Sequence, residues 1–369
     1  MVKIGIVGAN GFVGNRAVEM LHSAGHQVRP IVRNASRLAP FIAQNLEGYV
    51  ANAFDQAALE RAFHGCDVVI HSVLGSPGLI RGSVAPAYRA AQKMGVRRLI
   101  YLSSMIVHTS APAIGTTEAT PPIEHQPGFP THVAKIEAER RLLRMRRKGT
   151  VEVVIFRPGI VFGPRSRWVR DLASQLTQGT AYLINDGQGI CNSVYVDNLI
   201  HGMQLAMTAP AADGEAFFVG DRERVTWLDF YRPFALALGI NPDQIPRLTA
   251  PQFTHSRKQE LIRAIRESEF VQKGLALISD QTKQQLKQLL PRRRPATESP
   301  SITSVKPEPV VSEMMAILQQ SQYQLPYNKA TRLLGYEPIV SFEEGCRHSI
   351  EWLQADQQAT LPIGQLSQP

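Results

Sequence analysis

VKIGIVGANGFVG, residues 2–14, joins a short apolar run to three glycines that are separated by two residues each. An apolar run that ends directly in such a turn predicts a buried parallel strand, a tight loop and a helix from about Phe12 to Ala24. Gly8 gives the loop its tight backbone, Gly11 lets the main chain approach a pyrophosphate, and Gly14 lets the helix pack closely on the strand. The N–H groups and the dipole at the helix start favour phosphate charge. We therefore predict a dinucleotide-binding loop here rather than an ordinary glycine turn.

Apolar segments alternate with helical patterns through the first half of the chain. The predicted strands are Val2–Val7, Gln27–Val32, Gly48–Ala51, Asp67–Ser72, Arg98–Leu102 and Val151–Phe156. The predicted helices are Phe12–Ala24, Gln56–Phe63, Ser83–Met94 and Pro130–Lys148, with Tyr327–Leu334 and Phe342–Leu353 near the end. This alternation is typical of an α/β fold with a Rossmann-type, doubly wound parallel sheet.

The character of the sequence changes after residue 164. We predict a dinucleotide-binding domain over residues 1–164 and a smaller α/β substrate domain over residues 165–355. Within the second domain, residues 251–311 form an insertion that is helix-prone at first. It then becomes rich in proline and small polar residues, a composition that predicts a flexible segment. Residues 356–369 are predicted to be a tail.

Composition favours a globular cytoplasmic protein. The chain has 369 residues, 44% of them hydrophobic, and no apolar stretch approaches the ~20 residues that span a bilayer. Cys66, Cys191 and Cys346 lie far apart without a CxxC pair, so neither a disulfide framework nor a zinc site is supported. The net charge is +9, but the basic runs at 140–148 and 292–294 lack interleaved aromatic residues. We therefore interpret them as solvated surface and do not expect nucleic-acid binding.

Three further motifs follow the glycine loop in the chain. They are GVRRLIYLSS at 95–104, RPGIVFGP at 157–164 and VYVDN at 194–198, and a closing segment lies at 328–345. In this order the motifs resemble those of the extended short-chain dehydrogenase/reductase superfamily, the NAD-dependent epimerase/dehydratases. The resemblance covers about residues 1–250 and 327–353. It implies an NAD(P)-dependent oxidoreductase or isomerase that acts on a small molecule, and it is compatible with a homodimer.

The end of the second strand indicates which nucleotide is bound. In this fold an acidic residue there suits the ribose hydroxyl of NAD, whereas a cation suits the 2′-phosphate of NADP. The strand Gln27–Val32 is followed by Arg33, with Arg37 a turn later and no carboxylate nearby. The sequence therefore favours NADP(H) over NAD(H). The alternative interpretation is that Arg33 is only a surface residue at the end of a strand, which would leave NAD(H) open. Asn52 takes the place near the adenine where the family often has an acidic residue.

The loop, the strand ends and the resemblance together predict the cofactor contacts. Ser72, Val73 and Leu74, at the end of the fourth strand, would pass under the adenosine and nicotinamide halves. The full predicted set is Gly8, Asn10, Gly11, Phe12, Val13, Gly14, Arg33, Asn52, Ser72, Val73, Leu74, Ser103, Lys135, Pro158 and Gly159.

The catalytic pattern of the resembled family is incomplete in this chain. Members carry a Tyr and a Lys four residues apart on one helix, so that both project from one face. The Lys binds the nicotinamide ribose and lowers the pKa of the Tyr, which then exchanges a proton with the substrate. Lys135 is present, but Thr131 stands in the place of the Tyr, and its hydroxyl is far less acidic. The family's catalytic hydroxyl is often the residue at the place of Met105, and Ser104 is the nearest candidate.

Three interpretations of this departure stay open. An active oxidoreductase or isomerase would use another acid or base, such as His132, His108 or Tyr195. An NAD(P)-binding regulator or assembly factor would have lost dehydrogenase turnover. A shifted helix register would bring a tyrosine in from a loop.

Two features bear on the substrate. Ile160 stands where sugar-nucleotide members of the family usually have Asn, which makes a sugar-nucleotide substrate less favoured. The RPG form of the motif at residue 157 resembles the reductase and hydroxysteroid branch, whose substrates are more apolar. Asp197 is predicted to cap the helix that begins near it rather than to act in catalysis.

Overall fold

The computed structural model describes residues 1–123, 130–253 and 308–360. The strands, numbered along the chain, are β1 Lys3–Val7, β2 Gln27–Val32, β3 Tyr49–Val50, β4 Val68–His71, β5 Arg98–Leu102, β6 Glu152–Phe156, β7 Ile160–Phe162, β8 Leu183–Ile184, β9 Ser193–Tyr195, β10 Ala216–Phe217 and β11 Arg247–Leu248. The helices are α1 Phe12–Ser23, α2 Ala39–Ile42, α3 Gln56–Phe63, α4 Pro77–Lys93, α5 Pro130–Arg146, α6 Arg167–Gln178, α7 Val196–Ala206, α8 Trp227–Ala237, α9 Glu313–Leu318, α10 Asn328–Leu334 and α11 Phe342–Thr360.

Seven parallel strands form the main sheet, in the order β10-β6-β5-β4-β1-β2-β3. Side chains alternate between its two faces, as the period of a strand requires. Ile4 and Ile6 of β1 belong to a core that includes α1 and α7, whereas Val7 belongs to a second core with α3, α4 and α5. Both faces are thus covered, and the predicted doubly wound Rossmann-type sheet is confirmed.

The start of α4 differs from the prediction. The apolar pattern placed it at Ser83, but the helix begins at Pro77 because the Ser76 hydroxyl accepts a hydrogen bond from Leu79 N at 3.4 Å. Proline directly after a serine cap is a strong signal for a helix start. The N–H groups of the first turn have no partner within the helix, so the absence of an N–H on proline costs no hydrogen bond there.

The boundary at residue 164 is not a structural division of the main sheet. Strand β10, from the second half of the chain, pairs with β6 at the sheet edge, and α7 packs against α1. The dinucleotide-binding unit therefore draws on residues beyond 164. The rest of the second half forms two small parallel pairs, β7–β9 and β8–β11, with helices around them.

The end of the chain is more ordered than expected. Helix α11 continues to Thr360, so residues 356–360 are helical rather than a tail. Of the predicted insertion, residues 254–307 lie outside the described part of the chain, and so do the basic run at 292–294 and residues 361–369. The described helices include none with the length and apolar character that a bilayer crossing needs.

Candidate cofactor and active site

The glycine loop is built as a close crossing of main chain. Gly8 has φ of +87°, and its N–H donates to the Ile31 carbonyl at 3.1 Å, which ties the loop to β2. Gly11 N donates to the Gly8 carbonyl at 3.0 Å, and a Cβ on Gly14 would lie 2.3 Å from the same oxygen. Only glycine fits at residue 14. Helix α1 then begins at Phe12 with no side-chain cap from Gly11, so its first N–H groups are offered to a ligand.

The surroundings of the loop suit a bound pyrophosphate. Asn10 and Gly11 are exposed, whereas Phe12 and Val13 are partly buried. Ser72 closes the floor by donating its hydroxyl to the Val7 carbonyl at 2.9 Å. The backbone donors, the helix dipole and the absent side chains therefore fit the phosphates of a dinucleotide.

The ribose and adenine end carries the predicted polar residues at the surface. Arg33, directly after β2, and Arg37 are exposed. The Asn52 side-chain oxygen accepts a hydrogen bond from Phe54 N at 3.1 Å, so a contact with adenine would come from its amide nitrogen. Val73 is partly buried, and Leu74 is 76% exposed.

Lys135 lies on α5, and its side chain reaches the end of β5. Its Nζ donates to the Leu102 carbonyl at 2.6 Å, directly before the two serines that follow β5, and lies 5.0 Å from the centre of the Tyr101 ring. Burial lowers the pKa of Lys135 to about 8, and the charge of Glu139 opposes this in part. In the described part of the chain no carboxylate forms an ion pair with Lys135.

Glu139, one helical turn after Lys135, is bound elsewhere. Its carboxylate pairs with the Arg157 guanidinium at 2.6 Å, and both side chains are buried. The Ser103 hydroxyl donates to the other oxygen. Arg157 also contacts His108 Nε2 at 3.0 Å. This network joins the ends of β5 and β6 to α5, and it gives Ser103 a structural partner.

The predicted catalytic residues are only partly brought together. Thr131 is partly exposed, one turn before Lys135 on α5. Ser104 accepts a hydrogen bond from Ile106 N at 3.4 Å and begins a short helical turn. His132 is buried, and its Nε2 lies 3.4 Å from Ser110 Oγ.

The other candidate acids and bases lie in other surroundings. Burial and the neighbouring Arg157 charge lower the pKa of His108 to about 4, which leaves it neutral. The Tyr195 hydroxyl lies 3.2 Å from His348 Nδ1, in contact with α11 rather than with α5.

In the described residues, the aromatic contact of the Lys135 ammonium comes from a tyrosine of strand β5 and not from a loop tyrosine. All nine tyrosines of the chain lie in the described residues, and Tyr101 is the one among them whose ring contacts the Lys135 ammonium. The Tyr101 side chain is fully buried beneath α5, and burial raises its pKa far above the usual value. It is therefore a core residue. The helix register is also as predicted, with Thr131 and Lys135 both on α5.

Pro158 and Gly159 follow β6 after Arg157. The Pro158 carbonyl accepts from Met105 N at 2.9 Å. A Cβ on Gly159 would lie 1.9 Å from the Asn192 carbonyl, so this glycine is required for close packing against the chain before β9. Asn192 in turn binds Leu325 N and the Tyr323 carbonyl.

Two acidic residues lie in surroundings that the sequence analysis did not predict. Asp197 does not cap α7: it lies inside the first turn and forms two hydrogen bonds of 2.7 Å with the Arg16 guanidinium of α1. Asp221 was missed because no motif surrounds it. It is buried and accepts hydrogen bonds from Ser193 Oγ, Tyr195 N and Asn198 Nδ2, and burial raises its pKa to about 6.

Comparison with known proteins agrees with this geometry. A family model described as NAD(P)H-binding matches residues 8–167. The chain is 27% identical over 259 residues to a 3 beta-hydroxysteroid dehydrogenase/Delta 5-->4-isomerase of Mycobacterium tuberculosis, over 64% of this chain and 70% of that protein. It is also 27% identical to a 2-alkyl-3-oxoalkanoate reductase of Stenotrophomonas maltophilia, over 64% of this chain and 76% of that one.

Solved structures share the fold. The chain superposes on a dTDP-glucose 4,6-dehydratase of Streptomyces venezuelae, solved with NAD bound, with a TM-score of 0.68 and 18% identity, over 97% of this chain and 98% of that one. A UDP-glucose 4-epimerase of Thermotoga maritima gives a TM-score of 0.66 and 19% identity, over 96% and 99%.

The fold and the site define a dinucleotide-binding α/β enzyme. Within that class, residues 8–167 match the NAD(P)H-binding family model, and the chain is similar to proteins named as dehydrogenases, isomerases and reductases. It is an NAD(P)-dependent enzyme of the oxidoreductase or epimerase kind.

Proposed function

We propose that this protein is an NADP(H)-dependent oxidoreductase that interconverts a carbonyl and a hydroxyl group on a small organic metabolite, with Thr131 in place of the usual catalytic tyrosine. The observation that carries the proposal is the glycine cradle at residues 8–14 in one fold with a buried, hydrogen-bonded Lys135. The cradle fits a dinucleotide. A buried ammonium is difficult to explain as a purely structural group, because burial of a charge without a paired carboxylate costs free energy.

The cofactor preference rests on charge. Arg33 and Arg37 are exposed at the end of β2, and Asn34, which follows Arg33, is neutral. A 2′-phosphate carries negative charge that a guanidinium binds with strong hydrogen bonds. NADP(H) is therefore the proposed cofactor, with NAD(H) as the weaker ligand.

The proposed cofactor-binding residues are those predicted from the sequence. Residues 8–14 would hold the pyrophosphate, Arg33 the 2′-phosphate, Asn52 the adenine, and Lys135 the nicotinamide ribose. Ser72, Val73, Leu74, Ser103, Pro158 and Gly159 would line the remaining cleft. When bound, the nicotinamide supplies or accepts a hydride.

The proposed substrate is an apolar oxo or hydroxy compound. Two relatives are named for hydroxysteroids and for 2-alkyl-3-oxoalkanoates, which share a carbonyl or hydroxyl on a largely apolar skeleton. Leu74 and Ile114, in loops of the dinucleotide-binding half, are 76% and 81% exposed, which suits an apolar ligand. Ile160 is buried where sugar-nucleotide members carry an amide. A substrate-binding role for the part of the second half that lies outside the main sheet, the cytoplasmic location and a homodimer are further proposals.

Cofactor titration followed by a turnover panel tests the proposal. We expect NADPH to bind more tightly than NADH in a fluorescence titration, and NADPH to be consumed with a 3-oxosteroid or a 2-alkyl-3-oxoalkanoate. A UDP-sugar should not react. Tight NADPH binding without turnover on any carbonyl or alcohol would instead favour the regulator, and no binding of either coenzyme would refute both.

A further inference from the structure

Because Thr131 replaces the tyrosine, the group that donates a proton to the substrate oxygen is not identified. Reduction of a carbonyl needs a hydride at carbon and a proton at oxygen, and the family's tyrosine supplies the proton. Here residue 131 is threonine, and Tyr101, the tyrosine whose ring contacts Lys135, is buried in the core beneath α5. His108 is bound to Arg157, and His132 lies beside Ser110.

Lys135 has the properties of the replacement. Its ammonium is buried and makes its hydrogen bond with a carbonyl, which cannot neutralise its charge. Glu139 is one turn away, but its two oxygens are taken by Arg157 and Ser103. The nearest carboxylate is thus committed to another cation, and Lys135 is left as a proton donor that loses its charge easily.

The remaining neighbours of Lys135 support this assignment. Tyr101 of β5 presents its ring, and His71 of β4 packs against that ring at 5.7 Å between centroids. Burial and the Lys135 charge lower the pKa of His71 to about 4, so it is neutral at physiological pH. Glu139 is the charged carboxylate on the same helix face. The groups around Lys135 therefore include one anion, already paired, and two neutral rings.

We propose that Lys135 is the proton donor for reduction and that the Thr131 hydroxyl passes the proton to the substrate oxygen. This inference rests on the proposed oxidoreductase function. Thr131 and Lys135 are four residues apart on α5 and share one helix face. A hydroxyl both donates and accepts hydrogen bonds, so it receives one proton and releases another without ionising. The low acidity of threonine is therefore no obstacle.

Atoms and electrons balance in this transfer. The hydride pair from the reduced nicotinamide forms the new C–H bond, and the π electrons of the carbonyl move to its oxygen. That oxygen takes the Thr131 proton, Thr131 Oγ takes a proton from Lys135 Nζ, and the N–H electron pair stays on nitrogen. Solvent then reprotonates the amine. Oxidation of a hydroxyl group runs the same steps in reverse.

The first test measures Lys135 in the protein without cofactor. Lysine labelled at Cε is titrated by NMR, and the Lys135→Arg spectrum identifies the resonance by its loss. We expect a midpoint near pH 8, from the burial that lowers the pKa of Lys135 to about 8. A midpoint above pH 10 overturns the proposal, whether or not NADPH binds.

The second test uses variants and a 3-oxosteroid or 2-alkyl-3-oxoalkanoate as the probe. Lys135→Arg keeps the cation but cannot release its proton, so NADPH affinity should stay within about threefold while turnover falls ~100-fold or more. Thr131→Val removes the hydroxyl at nearly constant volume and should lose turnover similarly, whereas Thr131→Ser should retain it. Wild-type turnover in either Lys135→Arg or Thr131→Val overturns the relay.

A matched control separates chemistry from structure. Lys329 also donates to a carbonyl, that of Ala216, and lies 5.3 Å from the Phe217 ring, but it pairs with Glu215 at 2.6 Å. Lys329→Arg should leave turnover and its pH dependence unchanged. In the wild type, kcat/KM for reduction should fall with a slope of one above about pH 8. A flat profile from about pH 6 to 9.5 contradicts the assignment. Loss of NADPH binding by the wild type is a different result and refutes the proposed function itself.

Discussion

Replacement of Gly14 by alanine tests the dinucleotide loop most directly. The added Cβ would lie 2.3 Å from the Gly8 carbonyl oxygen and 2.9 Å from Ser72 Oγ, whereas ordinary contact begins at 3.4 Å. Helix α1 must therefore move by about 1 Å relative to β1. A displacement of this size costs ~100-fold where geometry is critical, so we expect the Kd for NADPH to rise about 100-fold. Overpacking of this kind should also lower the free energy of unfolding by about 1–3 kcal/mol.

Fluorescence titration with NADPH and urea unfolding measure the two effects separately. Gly25→Ala provides the control, because Gly25 lies just after the same helix with φ of +81°, and no atom lies within 4 Å of the place that a methyl group would take there. Alanine there costs about 1–2 kcal/mol in backbone strain but does not approach the loop. We therefore expect Gly25→Ala to be destabilised with unchanged NADPH affinity. If Gly14→Ala also bound NADPH with wild-type affinity, the close-crossing argument would be wrong.

Three more predictions concern charge. Arg33→Ser should raise the Kd for NADPH about 10- to 100-fold and leave the Kd for NADH unchanged, because one charge-assisted hydrogen bond contributes about 1.5–3 kcal/mol. An unchanged ratio of the two dissociation constants would exclude Arg33 as the ligand of the 2′-phosphate. Glu139→Gln should lower the free energy of unfolding by about 3–5 kcal/mol, because it leaves Arg157 charged and buried. Glu137→Gln, which breaks an exposed ion pair, should lower it by less than about 1 kcal/mol. If urea unfolding gave similar losses for the two variants, the buried network would not have the proposed role. Burial raises the pKa of Asp221 to about 6, so its contribution to stability is present below about pH 4 and is lost as the pH rises through 6. In urea unfolding, the free energy of unfolding of Asp221→Asn should therefore rise relative to that of the wild type by up to about 3 kcal/mol between about pH 4 and 6.5. The buried histidines contribute with the opposite sign, but they are present in both proteins and cancel in the comparison. A difference that does not change with pH would contradict the raised pKa of Asp221.

Local patterns were sufficient for most of the first half of the fold, apart from the start of α4 and the short helix α2. The strand at residues 3–7 and the helix after it were predictable because apolar period, glycine spacing and helix start agree within a short stretch of sequence. Strand β10 was not predictable, because Ala216–Phe217 is two residues long and forms by pairing with β6, from a distant part of the chain. That pairing is why the division at residue 164 does not separate the main sheet.

The candidate site also depends on contacts between distant parts of the chain, which local sequence patterns do not reveal. Lys135 and Thr131 were identified from the resemblance to the family's Tyr/Lys motif, but the partners that decide their chemistry were not. Arg157 reaches Glu139 across 18 residues, and Asp221 reaches Ser193 across 28, and neither distance in sequence carries a pattern. The two histidines considered as acids or bases were plausible by type alone. Their burial and their contacts, which sequence does not encode locally, place them against Arg157 and Ser110.

The network around Glu139 explains how residue 131, one helical turn before Lys135, can change while the rest of the site keeps its structure. Besides the apolar packing of α5, two buried polar interactions hold the helix to the sheet in the described structure: that of Lys135 with the Leu102 carbonyl and that of Glu139 with Arg157 and Ser103. Neither involves residue 131, which is partly exposed at the start of the helix. Replacement of a tyrosine there removes an acid but no anchor. The lysine therefore keeps its position, and with its nearest carboxylate bound to Arg157 it becomes the most readily deprotonated cation on this face of the helix, which is the property that a substitute proton donor requires.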